Sequence, residues 1–207
     1  MLPQAVPIGL GWARLLDAVL PDAESRFSIV GHSFGGSVAM KAAAEYRGRV
    51  DQLVLIEPNP FNLLAQARRD LAFSEAMTLR NCIKENRAKG DWDAAAAIFA
   101  DYWMGKGSWE AMPEDRRAKF ASALHPNFHE WDAVLNEATP LATWRDVLPE
   151  ATTVVIAEDT VRSIREIAEL MAQACPDWRF ETLGQGAHMA ALTLPETMNP
   201  IIRAALS

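Results

Sequence analysis

Chemistry could begin at Ser33, which stands between glycines in Ile29-Val30-Gly31-His32-Ser33-Phe34-Gly35-Gly36. Residues Gly31 to Gly35 fit the pattern G-x-S-x-G, in which a serine sits on a sharp turn from a strand into a helix. A side chain lifted out of such a turn needs a strained backbone at the serine, and neighbours without a Cβ let strand and helix approach closely. The helix behind the serine presents backbone N–H groups and a positive dipole end where an oxyanion would form. The apolar residues before Gly31 and the alanine-rich run to Tyr46 are the strand and helix that this turn requires.

A serine needs a base within hydrogen-bond reach, and the chain has four histidines. His32 adjoins the serine and points elsewhere if the turn is formed, so it is expected to pack or to flank a pocket. His125 and His129 have the i, i+4 spacing of a zinc pair, but Pro126 interrupts the segment and no H-E-x-x-H is present. They read as polar residues of the surface or of a loop in the helical region. His188 lies in Gly184-Gln185-Gly186-Ala187-His188, a glycine-bearing loop directly after a strand. Such a loop faces ligand in an open parallel sheet, which makes His188 the candidate base.

The elements that must position these residues are legible in the hydrophobic pattern. Residues 10–20 read as a largely buried helix, 27–31 as a strand, 35–46 as the helix after the turn with Gly48 near its end, and 50–57 as a buried strand. From Asn59 to about Thr139 only helical signals occur, with Asp91, Pro113 and Asn127 as helix starts. Trp92, Trp103, Trp109 and Trp131 lie there, and core packing is the expectation for most of them. Strand character returns at 152–156. Ser163 and Glu166 then read as a capping box, 178–183 as a half-exposed strand, and Thr193 to Glu196 as the start of the last helix. The class is α/β with a mainly parallel sheet and flanking helices. Residues 1–58 and 140–207 form its core, and 59–139 an inserted helical cap.

Half the 207 residues are hydrophobic, and the net charge of −7 argues against a nucleic-acid partner and against an anionic membrane surface. No apolar stretch is long enough to span a bilayer, and Met1 to Gly9 lacks the features of a signal peptide. Cys82 and Cys175 have no partner spacing and read as buried, reduced thiols of a cytoplasmic protein.

The arrangement resembles the α/β-hydrolase family. The resemblance is carried by Gly31-His32-Ser33-Phe34-Gly35-Gly36, by Leu53-Val54-Leu55-Ile56-Glu57-Pro58, and by Gly186-Ala187-His188-Met189-Ala190 with Leu194-Pro195-Glu196. It implies Ser33 as nucleophile, His188 as base, and the backbone N–H of Phe34 as half of an oxyanion hole. The family's acid usually follows the strand after the cap, where Ala157-Glu158-Asp159-Thr160 places Thr160 at the acid position and Asp159 one residue early. Some members carry it after the strand before the cap, where Glu57 stands. Glu57 and Asp159 are equal candidates, with Glu158 behind them. Family members have several strands before the serine turn, and one of them leads into a loop that donates the second oxyanion N–H. Here the serine is already residue 33. The expectation is a fragment, a complemented half, or a degenerate relative, in which one missing donor would lower the rate about a hundred- to a thousandfold.

The leading expectation is a serine hydrolase acting on an ester, thioester or related acyl bond of a small apolar substrate, with no cofactor or metal. The alternative is a non-catalytic ligand-binding or interaction module on the same scaffold. A third reading keeps the triad for other family chemistry, carbon–carbon bond hydrolysis or cofactor-free haloperoxidation. The uncovered strand 27–31 would favour self-association or pairing with a complementing N-terminal segment.

Overall fold

The computed structural model describes residue 20 and residues 24–207. The helix expected over residues 10–20 lies outside the described residues apart from its last position. Helices and strands alternate as β1 (Phe27–His32), α1 (Phe34–Glu45), β2 (Val50–Ile56), seven helices, β3 (Thr152–Ala157), α9 (Arg162–Ala174) and β4 (Arg179–Leu183). The chain closes with α10 (Ala190–Thr193) and α11 (Pro195–Ala205). All strand pairs are parallel and the sheet order is β1-β2-β3-β4, an α/β fold of the expected class.

Because strand order follows chain order, right-handed crossovers place all the strand connections on one face of the sheet. The core agrees. Leu53 and Leu55 of β2 pack with Met40 of α1 and with Ile164, Ile167 and Met171 of α9. Val54 and Ile56 face the other way, onto Ala190 and Met198 of the C-terminal helices. Side chains alternate across a strand, so a run that is apolar at every position is a strand covered on both faces. The outer strand β4 is exposed or half-buried at every position but Leu183. Among the described residues β1 hydrogen-bonds β2 alone, and its Val30 is 43% exposed.

The seven helices between β2 and β3 are α2 (Asn62–Gln66), α3 (Asp70–Ala88), α4 (Trp92–Met104), α5 (Ser108–Ala111), α6 (Glu114–Ala123), α7 (Asn127–Leu135) and α8 (Leu141–Val147). Asp91 caps α4 by accepting the Ala94 N–H at 2.9 Å. Helix α8 lies beyond the expected end of the helical region. It buries only Trp144, too little to produce a periodic signal. Two expected caps act differently. Ser163 lies inside α9, fully buried, and its hydroxyl meets the Tyr102 hydroxyl at 2.9 Å. Thr193 ends α10 and donates back to the Met189 carbonyl at 3.1 Å, while Pro195 opens α11. In both cases a nearer tertiary or local acceptor won the hydroxyl. Gly48 sits two residues beyond the C-cap Tyr46, in a turn with φ 85°. Cys82 and Cys175 are free thiols, Cys82 half-buried, and burial pushes Cys175 up to about 11. Among the described residues no helix is long and apolar enough to cross a membrane.

The turn from β1 into α1 depends on glycine at one position above all. A Cβ at Gly31 would lie 2.3 Å from the Gly35 carbonyl oxygen and 2.7 Å from the Ala39 Cβ, neither of which can swing away. Gly31→Ala is therefore expected to lose about 1–3 kcal/mol of stability by urea unfolding. Gly35→Ala, whose Cβ would meet nothing within 4 Å, is the control and should be neutral or slightly stabilising.

Candidate active site

Parallel strands all finish at the same edge of a sheet, so the residues that leave those ends become neighbours. Ser33 follows β1, Glu57 follows β2, Asp159 and Thr160 follow β3, and His188 follows β4 in a short 3-10 turn, Ala187–Met189. Ser33 has φ 55° and ψ −123° at the N-cap of α1. Its N–H donates to the Ile56 carbonyl at 2.9 Å, and its own carbonyl accepts the Gly36 N–H at 2.9 Å. The serine is thus tied to β2 on one side and to its helix on the other.

The structure brings Ser33, His188 and Glu57 into line. His188 Nε2 lies 2.8 Å from Ser33 Oγ, and His188 Nδ1 lies 3.2 Å from Glu57 Oε2. His188 is 3% exposed and Glu57 1%, so neither is the solvated residue that a loop or strand end usually carries. A buried carboxylate must be hydrogen-bonded. Glu57 Oε1 accepts the Ala157 N–H at 2.7 Å, and Oε2 accepts the Thr160 hydroxyl.

Asp159, an equal candidate for the acid on sequence grounds, does not reach the imidazole. Its Oδ1 accepts the Ala187 N–H at 2.8 Å and its Oδ2 the Gly186 N–H at 3.3 Å. A carboxylate one residue early points along the loop rather than into the site, and it braces the turn that carries His188. Glu158 is exposed, and its N–H extends the sheet ladder to the Leu183 carbonyl at 2.8 Å. Thr160, at the position where family members place an acid, instead donates to the carboxylate held by Glu57.

Backbone strain is concentrated here. Among the described residues four that are not glycine have positive φ, and Ser33, Glu57 and Ala187 are three of them. Each such conformation costs about 1–3 kcal/mol and persists only where the surroundings dictate it. Gly186, at φ 115°, is packed so closely that a Cβ would lie 2.7 Å from Leu194 Cδ1 and 2.8 Å from the Ala190 Cβ.

The imidazole of His188 is held on two sides. The Trp103 ring of α4 lies against it, centroids 3.9 Å apart, and the His32 ring is 5.0 Å away. His32 Nε2–H donates to the His188 carbonyl at 2.8 Å, so His32 flanks the site and fixes the backbone of His188. Burial, and then the neighbouring His188, hold the His32 pKa below its ordinary value. Phe34, the first residue of α1, places its backbone N–H immediately after Ser33 at the positive end of a 12-residue helix. The His125 ring lies against that of Trp92, centroids 3.9 Å apart and planes tilted by 33°.

Ser33 opens into a small cleft beneath the helices that follow β2. Phe61, Phe99, Trp103, Trp131 and Val134 form an apolar wall. Its cavity volume of about 20 Å³ is room for roughly one water. Trp131 stacks on Phe61 at 5.1 Å and donates its indole N–H to Asn127 Oδ1 at 3.0 Å. Asn127 Nδ2 donates to Glu130 at 2.8 Å, and burial pushes the Glu130 carboxyl above its ordinary pKa. Trp103 and Trp131 therefore belong to the cleft as well as to the core. Periodicity could not separate them from Trp109, which serves a helix–helix core. Glu130 stands three residues after the helix start at Asn127, and nothing local in the sequence marks it as lining the cleft of Ser33.

The sequence matches, over residues 4–200, the family described as the alpha/beta hydrolase family. The chain belongs to the α/β hydrolase family. Among solved structures this α/β hydrolase is similar to a hydrolase from Pseudomonas aeruginosa, with a TM-score of 0.71 and 21% identity over 96% of this chain and 70% of that one. It is also similar to an esterase from Exiguobacterium antarcticum, TM-score 0.67 and 18% identity over 94% of this chain and 72% of that one. A bromoperoxidase from Bacillus anthracis gives a TM-score of 0.66 at 16% identity, over 94% and 72%. At these identities the likeness is one of fold.

The lowered pKa of His32 has a consequence for stability. Above the ordinary histidine value of 6.5 the residue is neutral whether folded or unfolded, and it adds no pH dependence. Below that value the unfolded chain takes up the proton first, so stability falls as pH falls through the folded pKa. His32→Gln keeps an N–H donor for the His188 carbonyl and removes this titration. Between about pH 7.5 and pH 5.5 its urea midpoint should drop less than that of the wild type. An equal drop in both proteins would refute this account of His32.

Proposed function

We propose that this α/β hydrolase is a serine hydrolase of carboxylic esters or thioesters with a small, largely apolar acyl part. The observation that carries the reading is the continuous contact from Ser33 Oγ through the His188 ring to Glu57, at 2.8 and 3.2 Å. His188 Nε2 takes the Ser33 proton as Oγ attacks the carbonyl carbon, and Glu57 stabilises the imidazolium through Nδ1. The Phe34 N–H, at the positive end of α1, faces the oxyanion that forms. His188 then delivers the proton to the departing alcohol or thiol as the carbon–heteroatom bond breaks. Water enters, gives its proton to His188 and attacks the acyl-enzyme, releasing the acid and restoring Ser33. The helices after β2 act as a cap. Since the cleft holds about one water, α4 and α7 must move outward to admit an acyl group.

Phe61, Phe99 and Trp131, on a lining that also carries Asn59, Asn127 and Glu130, support an apolar acyl group. The likeness to both an esterase and a bromoperoxidase does not choose between their reactions, so acyl hydrolysis rests on the site itself.

A fluorophosphonate probe should label the intact protein at Ser33 and leave Ser33→Ala unlabelled. Glu57→Gln should lower kcat/KM for short p-nitrophenyl esters by on the order of 10³–10⁴, because the imidazole loses its orienting acceptor. Asp159→Asn should stay within about tenfold of wild type, since it braces the loop without touching the ring. Absence of labelling together with no ester turnover would overturn the hydrolase reading in favour of a ligand-binding module. Equal losses for Glu57→Gln and Asp159→Asn would overturn the assignment of the acid.

A further inference from the structure

The Trp103 ring lies against the His188 imidazole with centroids 3.9 Å apart and planes tilted by 32°, so the two rings meet face to face. A buried indole normally places its N–H on an acceptor, yet among the described residues the Trp103 N–H has none. A hydrogen bond therefore does not fix this ring. Ring packing does: Tyr102 meets it edge-on at 4.7 Å and 87°, and Phe99 lies 6.0 Å away. Tyr102 is anchored in turn, its hydroxyl meeting Ser163 Oγ of α9 at 2.9 Å and donating to Glu75 of α3 at 3.1 Å. The last turn of α4 thus presses an indole face onto the ring of a residue that follows β4.

A proton taken from Ser33 would make that ring a cation in a buried site, where water cannot solvate it. Glu57, after β2, meets Nδ1, and Ser33, after β1, meets Nε2. The His32 ring of β1 stands 5.0 Å away, and burial holds its pKa low, so it adds no second cation near neutral pH. Asp159, after β3, is engaged by the Gly186 and Ala187 N–H groups, and Asp101 of α4 by the Trp109 N–H. What α4 brings to the imidazole is the face of Trp103.

We propose that Trp103 is a positioning residue for His188: its ring face holds the imidazole and stabilises the imidazolium that forms there. An aromatic face is electron-rich, and indole attracts a cation within about 6 Å of its centroid best, the more so away from water. Proton transfer from Ser33 to His188 is thereby favoured in a site closed to solvent. That the cation arises in turnover rests on the reading of Ser33 as nucleophile. The base is complete only while the last turn of α4 stays seated, so the opening that admits an acyl group belongs to α7 and to the earlier turns of α4.

Fluorine draws charge from the indole face with little change of shape. Monofluoro-, difluoro- and tetrafluorotryptophan, placed at position 103 alone by nonsense suppression, therefore weaken the attraction stepwise in folded protein. Across the series log kcat for p-nitrophenyl acetate should fall in proportion to the number of fluorines, about tenfold in all, with KM unchanged. A packing role would show no such proportion. A kcat that ignores fluorination while the fluorophosphonate labels Ser33 overturns the proposal and leaves the hydrolase standing. The second measurement needs no catalysis. In Ser33→Ala the His188 ring signals, assigned by their loss in Ser33→Ala with His188→Gln, are titrated by NMR. Their midpoint should move to lower pH by about one unit across the series, since a tenfold weaker hold on the cation corresponds to that displacement. An unmoved midpoint overturns the proposal whether or not esters turn over. A midpoint that follows the fluorines without labelling or turnover keeps the Trp103 contact and removes the hydrolase.

Discussion

The carboxylate of Glu57 is a charge-bearing group buried to 1% exposure at the point where three strand ends converge. It leaves β2, takes a backbone N–H from the end of β3 and a hydroxyl from the loop beyond, and meets the imidazole that follows β4. A carboxylate in such a place is tolerable only when both oxygens are hydrogen-bonded, and removing one partner of a buried pair costs about 3–5 kcal/mol. The same contacts that solvate Glu57 therefore hold the loops after β2, β3 and β4 in register. The site and this edge of the sheet are one construction.

Rigidity on the sheet side contrasts with closure on the helical side. Ser33 is pinned by β2 and α1, and His188 by Trp103, by His32 and through the loop that Asp159 braces. Three strained backbone positions are kept in place by this packing. Opposite them stand side chains from helices that leave little free volume around the serine. Under the proposed reaction the work would divide: geometry to the strand ends, and access and selectivity to the helices.

Much of the fold was readable because its signals are local. Leu53 to Ile56 is apolar without a break, which only a strand covered on both faces explains, and Gly31 to Gly36 brackets a serine between a strand and a small-residue helix. The errors share a cause. Ser163 and Thr193 have capping spacing, but a hydroxyl bonds whichever acceptor is nearest, and Tyr102 and the Met189 carbonyl were nearer. Helix α8 buries one tryptophan and so leaves no periodic trace.

By itself the sequence determined the class of fold, the serine turn with its glycines, and the placing of a histidine and several carboxylates at strand ends, since these depend on residue types a few positions apart. Only the tertiary structure showed that Glu57, and not Asp159, meets the imidazole. That choice turns on side-chain direction after the strands end, where a single residue of offset sends one carboxylate to the imidazole and the other to the backbone of Gly186 and Ala187. It likewise decided that Trp103 covers the His188 ring and that Trp131 shares a cleft with Ser33. Those relations join residues far apart in the chain, and no local pattern records which distant side chains will share a surface.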